Sequence, residues 1–438
     1  MGSIANASSR SQQSRQEAVL DAAITRATDA LLSQQKDDGH WIFELEADAS
    51  FPAQCILLVH FFGETPEAAL EQKFARYLRR TQLPGGGWPA FVDGPMDVSP
   101  SVQAYFALKM AGDAPNAAHM VRARKAILAA GGGEEVNVFT RVLLALFGVL
   151  TWNAVPMMPV EMMLLPQWFP FHLSKVSYWA RTTIVPLLVV IAMRPVAANP
   201  RAVRIDELFK KPPTTVGMKA RAPHQSRAWY AFFRSVDVVL RFVDPLVPTA
   251  LRQRAIKTAV SFVNERANGE DGIGAIFPGI IYSTIMFHLL GDYSARDTAR
   301  GALERLLVIT DDEAYCQPVL CASWDTMLAI HAMLETGDER AVEAAQRGLK
   351  WLESRQILDV RGDWVSRRPH VRPGGWAFYY TCPHYPDVDD TACIVMAMQR
   401  ADPRVFAESI SRGYEWTVGM QSSDGGWGAY DRRTRITT

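Results

Sequence analysis

Three carboxylates crowd into four consecutive positions, Asp387-Val-Asp389-Asp390, inside the run Tyr385-Pro-Asp387-Val-Asp389-Asp390-Thr391-Ala392. An apolar stretch, Cys393-Ile-Val-Met-Ala-Met398, follows directly and reads as a helix. Such a cluster can serve three ends. It can be a solvated cap, because Asp at an N-cap satisfies free backbone N–H groups. It can hold Mg²⁺, which prefers carboxylate oxygen. It can also be a Brønsted acid for a very weak base such as an alkene, which demands a carboxylic acid that keeps its proton near neutral pH. Carboxylates this close repel one another when charged, which raises at least one pKa, and burial acts in the same direction. A helix N-terminus then stabilises the carboxylate left after proton transfer. On that reading Asp389 is the candidate donor, and Asp387 and Asp390 are the charge partners that tune it.

The elements that must position this cluster repeat along the chain. One unit has Leu31, Gln35, Gly39 and Trp41; a second has Leu78, Gln82, Gly86 and Trp88. A third reads Trp351-Leu352, then Gln356, Gly362 and Trp364, with two extra residues before the glycine. A fourth reads Trp416-Thr417, then Gln421, Gly425 and Trp427. Each unit predicts a helix that ends near the Gln and turns at the Gly, with the Trp folded back on the helix and the Gln amide bonding backbone groups at the turn. Apolar residues at helical spacing over 101–111, 325–334 and 391–398 lie between the units, and few segments alternate with period two. The pattern predicts an all-α chain of repeated helix pairs, an α/α toroid.

Residues 229–247 stand apart. The charged positions Arg234, Asp237, Arg241 and Asp244 fall on one narrow helical stripe, and most of the remainder is aromatic or aliphatic. A helix this apolar is either deeply buried or partly immersed in lipid. Lys210, Lys211, Lys219, Arg221 and Arg227 precede it as a basic flank suited to anionic headgroups or to plain solvation.

Composition narrows the function classes. The chain has 438 residues, 48% apolar and 21% charged, with a formal net charge of zero, which predicts a large folded core and no electrostatic capture of nucleic acid. Cys55, Cys316, Cys321, Cys382 and Cys393 show no zinc-ligand spacing and no disulfide framework, so a metal site is not expected and a reducing compartment fits. The polar residues 1–14 predict a disordered tail rather than a signal peptide. The apolar run 184–193 is too short to span a bilayer and predicts a core helix.

The ordered motifs resemble one family, the squalene–hopene cyclases. Pro373-Gly-Gly-Trp376-Ala-Phe378, Asp387-Val-Asp-Asp-Thr-Ala392 and Gln421-Ser-Ser-Asp-Gly-Gly-Trp-Gly-Ala-Tyr430 are similar to that family's central run. The Gln-to-Trp units are similar to its QW repeats. Val138-Phe-Thr-Arg141, Tyr178-Trp179-Ala-Arg181 and Ser323-Trp324-Asp325-Thr326 also match in kind, so the likeness covers nearly the whole chain. The resemblance implies two α/α barrels: a catalytic one from residues 15–44 with 321–438, and a second from residues 45–320. It implies a monotopic enzyme on the cytoplasmic side of the cell membrane, with the helix near 229–247 dipping into the bilayer, and it is compatible with a homodimer. It implies conversion of squalene to hopene and hopanol without a metal or other cofactor. Asp389 would protonate the terminal alkene, and Trp179, Trp324, Phe378 and Tyr430 would line the cavity and stabilise cations through their π-faces.

Two departures matter. Gln54 and Gln103 occupy positions where the family commonly has Glu. Beyond Asp431 the run 432–438 no longer follows the family pattern, which predicts an incomplete catalytic barrel lacking further QW repeats and an assisting His, and weak or no activity for this chain alone. Rival readings are a class II diterpene cyclase, which would need Mg²⁺ and a basic pocket for a diphosphate, and an inactive remnant or isoprenoid-binding protein. An oxidosqualene cyclase fits the acidic motif poorly, and a zinc-dependent farnesyltransferase-like barrel fits the scattered cysteines poorly.

Overall fold

The computed structural model describes residues 2–218 and 225–430, with side chains from Gln16 onward. Among the described residues the helices are α1 (Gly2–Gln34), α2 (Ser50–Phe62), α3 (Ala68–Arg80), α4 (Val98–Met110), α5 (Ala118–Ala129), α6 (Val138–Leu146), α7 (Tyr178–Met193), α8 (Arg227–Val243), α9 (Thr249–Glu265), α10 (Phe277–Leu290), α11 (Tyr293–Glu304), α12 (Ala322–Glu335), α13 (Glu339–Glu353), α14 (Val388–Ala401) and α15 (Ala407–Gly419). Strand is confined to two short antiparallel hairpins. β1 (Trp88–Pro89) pairs with β2 (Met96–Asp97), and β3 (Leu307–Ile309) pairs with β4 (Ala314–Cys316). The fold is all-α. Helix α1 is helical from Gly2, where a disordered tail over residues 1–14 was expected; that stretch is polar, but after Gly2 it contains no Gly or Pro to stop a helix.

The chain divides into two compact units, one of Met1–Phe43 with Leu320–Thr438 and the other of Glu44–Val319. In the second unit α4, α7 and α10 are buried around most of their circumference, whereas α3, α5, α9 and α11 bury a single face. The first unit packs α12, α13 and α14 around Trp41, Met327, Ile330, Leu349, Leu352, Trp376, Ile394 and Met398. Wholly buried helices flanked by amphipathic ones are the layering that the repeat pattern predicts.

The repeats explain how helix ends are fixed. Gln35 Nε2 donates to Gly39 O (2.7 Å) and to Ala344 O (2.8 Å) on α13, and the Trp41 indole donates to Leu31 O (2.7 Å). Gln82 does the same with Gly86 O (2.8 Å) and His119 O (3.0 Å) on α5, and Trp88 closes on Leu78 O (2.8 Å). Gly39 and Gly86 have φ of +101° and +103°, and a Cβ there would fall 2.8 Å from Arg347 O and 2.4 Å from Arg122 O. Glycine is therefore required twice over, by backbone conformation and by the close approach of the neighbouring helix.

The third repeat is not the one read from the sequence. Gln356 Nε2 donates to Gly374 O (2.8 Å) and to Ser409 O (3.0 Å) on α15, and the indole that closes on Leu352 O (2.6 Å) belongs to Trp376. Gly362 and Trp364 sit inside an insertion. The Gln-to-Trp spacing is 20 residues (356 to 376) instead of 6 (35 to 41), so 14 extra residues separate the two halves of the motif. Trp364 instead packs edge-on against Trp416, with ring centroids 6.2 Å apart. In the fourth repeat Gln421 reaches Gly425 O (2.8 Å) and Trp427 reaches Thr417 O (2.7 Å). There Gly425 has no described neighbour within 4 Å, and Trp427 is 48% exposed. Trp376→Ala, which removes a fully buried ring, is expected to cost about 3–5 kcal/mol in denaturant unfolding. Trp427→Ala should cost far less, and equal losses would contradict the assignment of Trp376 as the third repeat's ring.

Candidate active site

Asp387 is the N-cap of α14, with extended backbone (φ −104°, ψ 138°). Its Oδ1 accepts from Asp389 N (2.7 Å) and Asp390 N (3.3 Å), and its own N–H donates to Trp376 O (2.7 Å). Thr391 ties the same turn together: its Oγ1 donates to Asp387 O (2.5 Å) and accepts from Trp376 N (2.9 Å). Val388 N donates to Ala429 O (2.7 Å), which brings the fourth repeat's turn against the start of α14.

The three carboxylates have different surroundings. Asp389 projects outward and is exposed. Asp387 is buried, with a hydrogen bond to the Tyr430 hydroxyl, and burial pushes its carboxyl up to about 6. Asp390 is 0% exposed, and neither of its side-chain oxygens has a hydrogen-bond partner. An acid at this position, three residues after the N-cap, usually reaches back to the N-cap N–H. Here the Trp376 carbonyl already holds that N–H, which leaves Asp390 without its usual role. Burial first, then the charges of Asp387 and Asp389, push Asp390 up to about 8. The cluster therefore presents one accessible acid at the positive end of a helix, backed by two buried groups that resist ionisation.

Aromatic rings lie in the same unit. Trp324, near the start of α12, stacks at a tilt on Phe378, with centroids 5.8 Å apart. Tyr430 packs on Tyr385 at 5.0 Å. Trp179 lies in the other unit, as the second residue of α7. Sequence reasoning did not single out Tyr385 as a ring, although it opens the acidic motif itself. Gln54 and Gln103, singled out as departures, form a chain in the second unit: Gln54 Nε2 donates to Gln103 Oε1 (2.9 Å), and Gln103 Nε2 donates to Thr140 Oγ1 (2.7 Å).

Helix α8 turns its apolar side outward. Of the predicted charged stripe, Asp237 is buried, accepts from Met157 N (2.7 Å) and is bridged by Arg241 Nε (2.7 Å). Asp244 pairs with Arg194 (2.8 Å) and Arg252 (2.6 Å). Trp229, Phe232, Phe233, Val238, Val239 and Phe242 are exposed, Phe242 to 76%. The deeply buried alternative for this segment is thus overturned, because Asp237, Arg241 and Asp244 face the protein while Arg234 and the apolar side are exposed. Beside α8 lies a cavity of ≈ 1090 Å³, lined by Met157, Met162, Leu165, Phe169, Phe171, Trp229, Phe232, Phe233 and Leu240 among others. Lys219 and Arg221 of the basic flank, and the tail from Arg432, lie outside the described residues. No helix among the described residues is long and apolar enough to cross a membrane.

The chain is thus an all-α protein whose repeats lock helix ends and whose acid cluster sits at a helix start. Two family models match it. The squalene–hopene cyclase N-terminal domain matches residues 24–312, and the C-terminal domain matches residues 320–437. The chain belongs to the squalene–hopene cyclase family. It is 54% identical over 420 residues to a squalene–hopene cyclase of Bradyrhizobium diazoefficiens, covering 94% of this chain and 64% of the relative. It is 51% identical over 432 residues to that of Zymomonas mobilis, covering 95% and 65%. With the Alicyclobacillus acidocaldarius squalene–hopene cyclase the identity is 35%, over 93% of this chain and 64% of the relative. The chain thus spans about 64–65% of the length of these curated relatives.

Proposed function

We propose that this chain carries the proton-donating machinery of a squalene–hopene cyclase and that its substrate is squalene. The observation that carries the proposal is the Asp387–Asp389–Asp390 cluster at the N-terminus of α14, with Asp390 buried and without hydrogen bonds. Asp389, the accessible member, delivers a proton to a terminal alkene carbon, and the helix N-terminus stabilises the carboxylate that remains. Asp390 stays neutral near pH 7 because its pKa is pushed to about 8. It therefore places no second charge behind the donor. Trp324, Phe378 and Tyr430 offer π-faces to the carbocations of ring closure, which ends in hopene or hopanol, and Trp179 is a further ring proposed for that role. A catalytic α/α barrel of residues 15–44 with 321–438 and a second α/α barrel of residues 45–320 remain part of this reading, as does a place on the membrane surface. The outward apolar face of α8 and the apolar cavity next to it support the latter, since squalene dissolves in lipid and needs an entry from it.

Purified chain in mild detergent, incubated with squalene and with products read by mass spectrometry, tests this proposal. Hopene or hopanol formed without added Mg²⁺ and insensitive to EDTA supports it. Squalene bound but returned unchanged supports an isoprenoid-binding remnant, and activity on a prenyl diphosphate that EDTA abolishes supports a class II diterpene cyclase.

A further inference from the structure

Beside the turn of the first repeat lies a polar network that neither the acid cluster nor the helix ends use. Its centre is His40, a buried ring between Gly39 and Trp41. His40 Nδ1 meets Asp38 Oδ1 at 2.5 Å, and Nε2 meets the Tyr380 hydroxyl at 2.7 Å. A carboxylate can only accept, so Nδ1 carries a proton and donates it to Asp38. A phenol both gives and accepts, so the Tyr380 contact holds whether or not Nε2 carries one. Asp38 Oδ2 accepts from the Trp351 indole at 3.0 Å. The His40 ring stacks on Trp351 with centroids 4.8 Å apart, and Tyr380 stands edge-on to it at 5.3 Å. The Arg355 guanidinium lies over Trp351 at 5.0 Å and donates to Tyr380 O at 3.4 Å. With both nitrogens bonded and a face stacked, the imidazole has one orientation, and it fixes the Tyr380 hydroxyl.

Tyr380 ends the short run that carries Phe378. At the start of that run, Trp376 N donates to Thr391 Oγ1 and Trp376 O accepts from Asp387 N. Further on, Tyr379 O accepts from Ser323 Oγ at 3.1 Å. Residues 378–380 are bends rather than strand, so side chains and not a ladder of backbone bonds decide their course. Phe378 lies between these holding points, half-buried, with its ring tilted on Trp324 at 5.8 Å. We infer that Asp38, His40 and Tyr380 form a clamp that holds the Phe378 π-face where cationic charge develops in the reaction. They act through Phe378 and are positioning residues. The inference rests on the cation-stabilising reading of Phe378 given above and adds what fixes that ring. A ring that shifts by about an ångström gives up much of its attraction for a cation, while an apolar chain finds nearly the same contacts.

The affinities of the full chain for two ligands provide the test, and they do not depend on turnover. One ligand is squalene; the other is a polyene of the same length that ends in a dimethylammonium group. The proteins are the wild type, Y380F, H40F, Y380F/H40F and F378A. Y380F removes one oxygen atom, and H40F keeps a ring against Trp351 while giving up both hydrogen bonds. The wild type should prefer the ammonium ligand, and F378A should lose that preference. Y380F and H40F should each bind the ammonium ligand about tenfold more weakly, the order of one well-placed cation–π contact, and bind squalene as before. The double variant should lose no more than either single one, because both break the same contact. A Y380F variant that keeps the wild-type affinity for the ammonium ligand, or that weakens equally on both ligands, overturns the clamp and leaves the proposed function standing. A wild type without the preference, or an F378A variant that keeps it, overturns the reading of Phe378 and the clamp with it.

Discussion

Asp389→Asn should abolish squalene cyclisation, with a loss of about 10²–10⁴-fold or more, and leave folding nearly untouched. The expected outcome has a chemical half and a structural half. Chemically, an amide cannot give a proton to an alkene, and no neighbour can take over: Asp390 is enclosed, and Asp387 is occupied by the N–H groups of Asp389 and Asp390 and by Tyr430. Structurally, the Asp389 side chain is exposed, and the bond that matters to α14 is made by its backbone N–H to Asp387 Oδ1 at 2.7 Å. That bond survives the substitution. Turnover measured together with thermal melting separates the two halves. An active D389N variant removes Asp389 as donor, and an inactive one that has also lost several degrees of melting temperature would point to a structural role.

The second large effect is in stability against pH. Asp390 carries its proton to about pH 8 in the folded chain, against an ordinary value of 3.8. Between those values the folded state binds a proton that the unfolded state has released. Stability from this group is therefore fully present below about pH 4 and falls as pH rises towards 8, where it levels off. The shift corresponds to about 6 kcal/mol, an upper figure for a site that can admit water. Asp387, raised to about 6, adds to the lower part of the same window. Asp390→Asn cannot ionise and should flatten the decline, most clearly between about pH 6 and 8. Denaturant midpoints taken across this range for both proteins provide the test. Parallel curves would mean that Asp390 is not buried as a neutral acid.

How much of this was legible depends on whether a signal is local. The acidic motif was readable because its cap, its partners and its helix are contiguous. Which of the three acids would be enclosed was not. That follows from Trp376 O taking the Asp387 N–H, a contact between residues eleven apart whose geometry no spacing reveals. Three repeats were readable because glutamine, glycine and tryptophan keep one offset. The third was misread because an insertion moved its glycine and tryptophan to Gly374 and Trp376, while Gly362 and Trp364 lay close enough to imitate them. The run Pro373-Gly-Gly-Trp376 was in view as a motif, yet nothing in the spacing tied it to Gln356. For α8 the periodicity of charge and apolarity was visible, but periodicity separates two faces without saying which one meets the protein.

Helix α8 also has an unusual thermodynamic character. Side chains such as Phe242 and Val238, exposed in the folded state, gain little burial when the chain folds in water, so they add little to the heat capacity of unfolding. Polar contacts help to seat the helix: Asp237 accepts from Met157 N, Arg241 donates to Val155 O, and Asp244 at its end is shared between Arg194 and Arg252, a residue of α9. Dissolved ions weaken such attractions, and strongly hydrated anions such as sulfate also strengthen apolar contacts. In aqueous solution, then, rising sulfate loosens α8 from its neighbours even as it tightens the cores around Trp41 and Trp376.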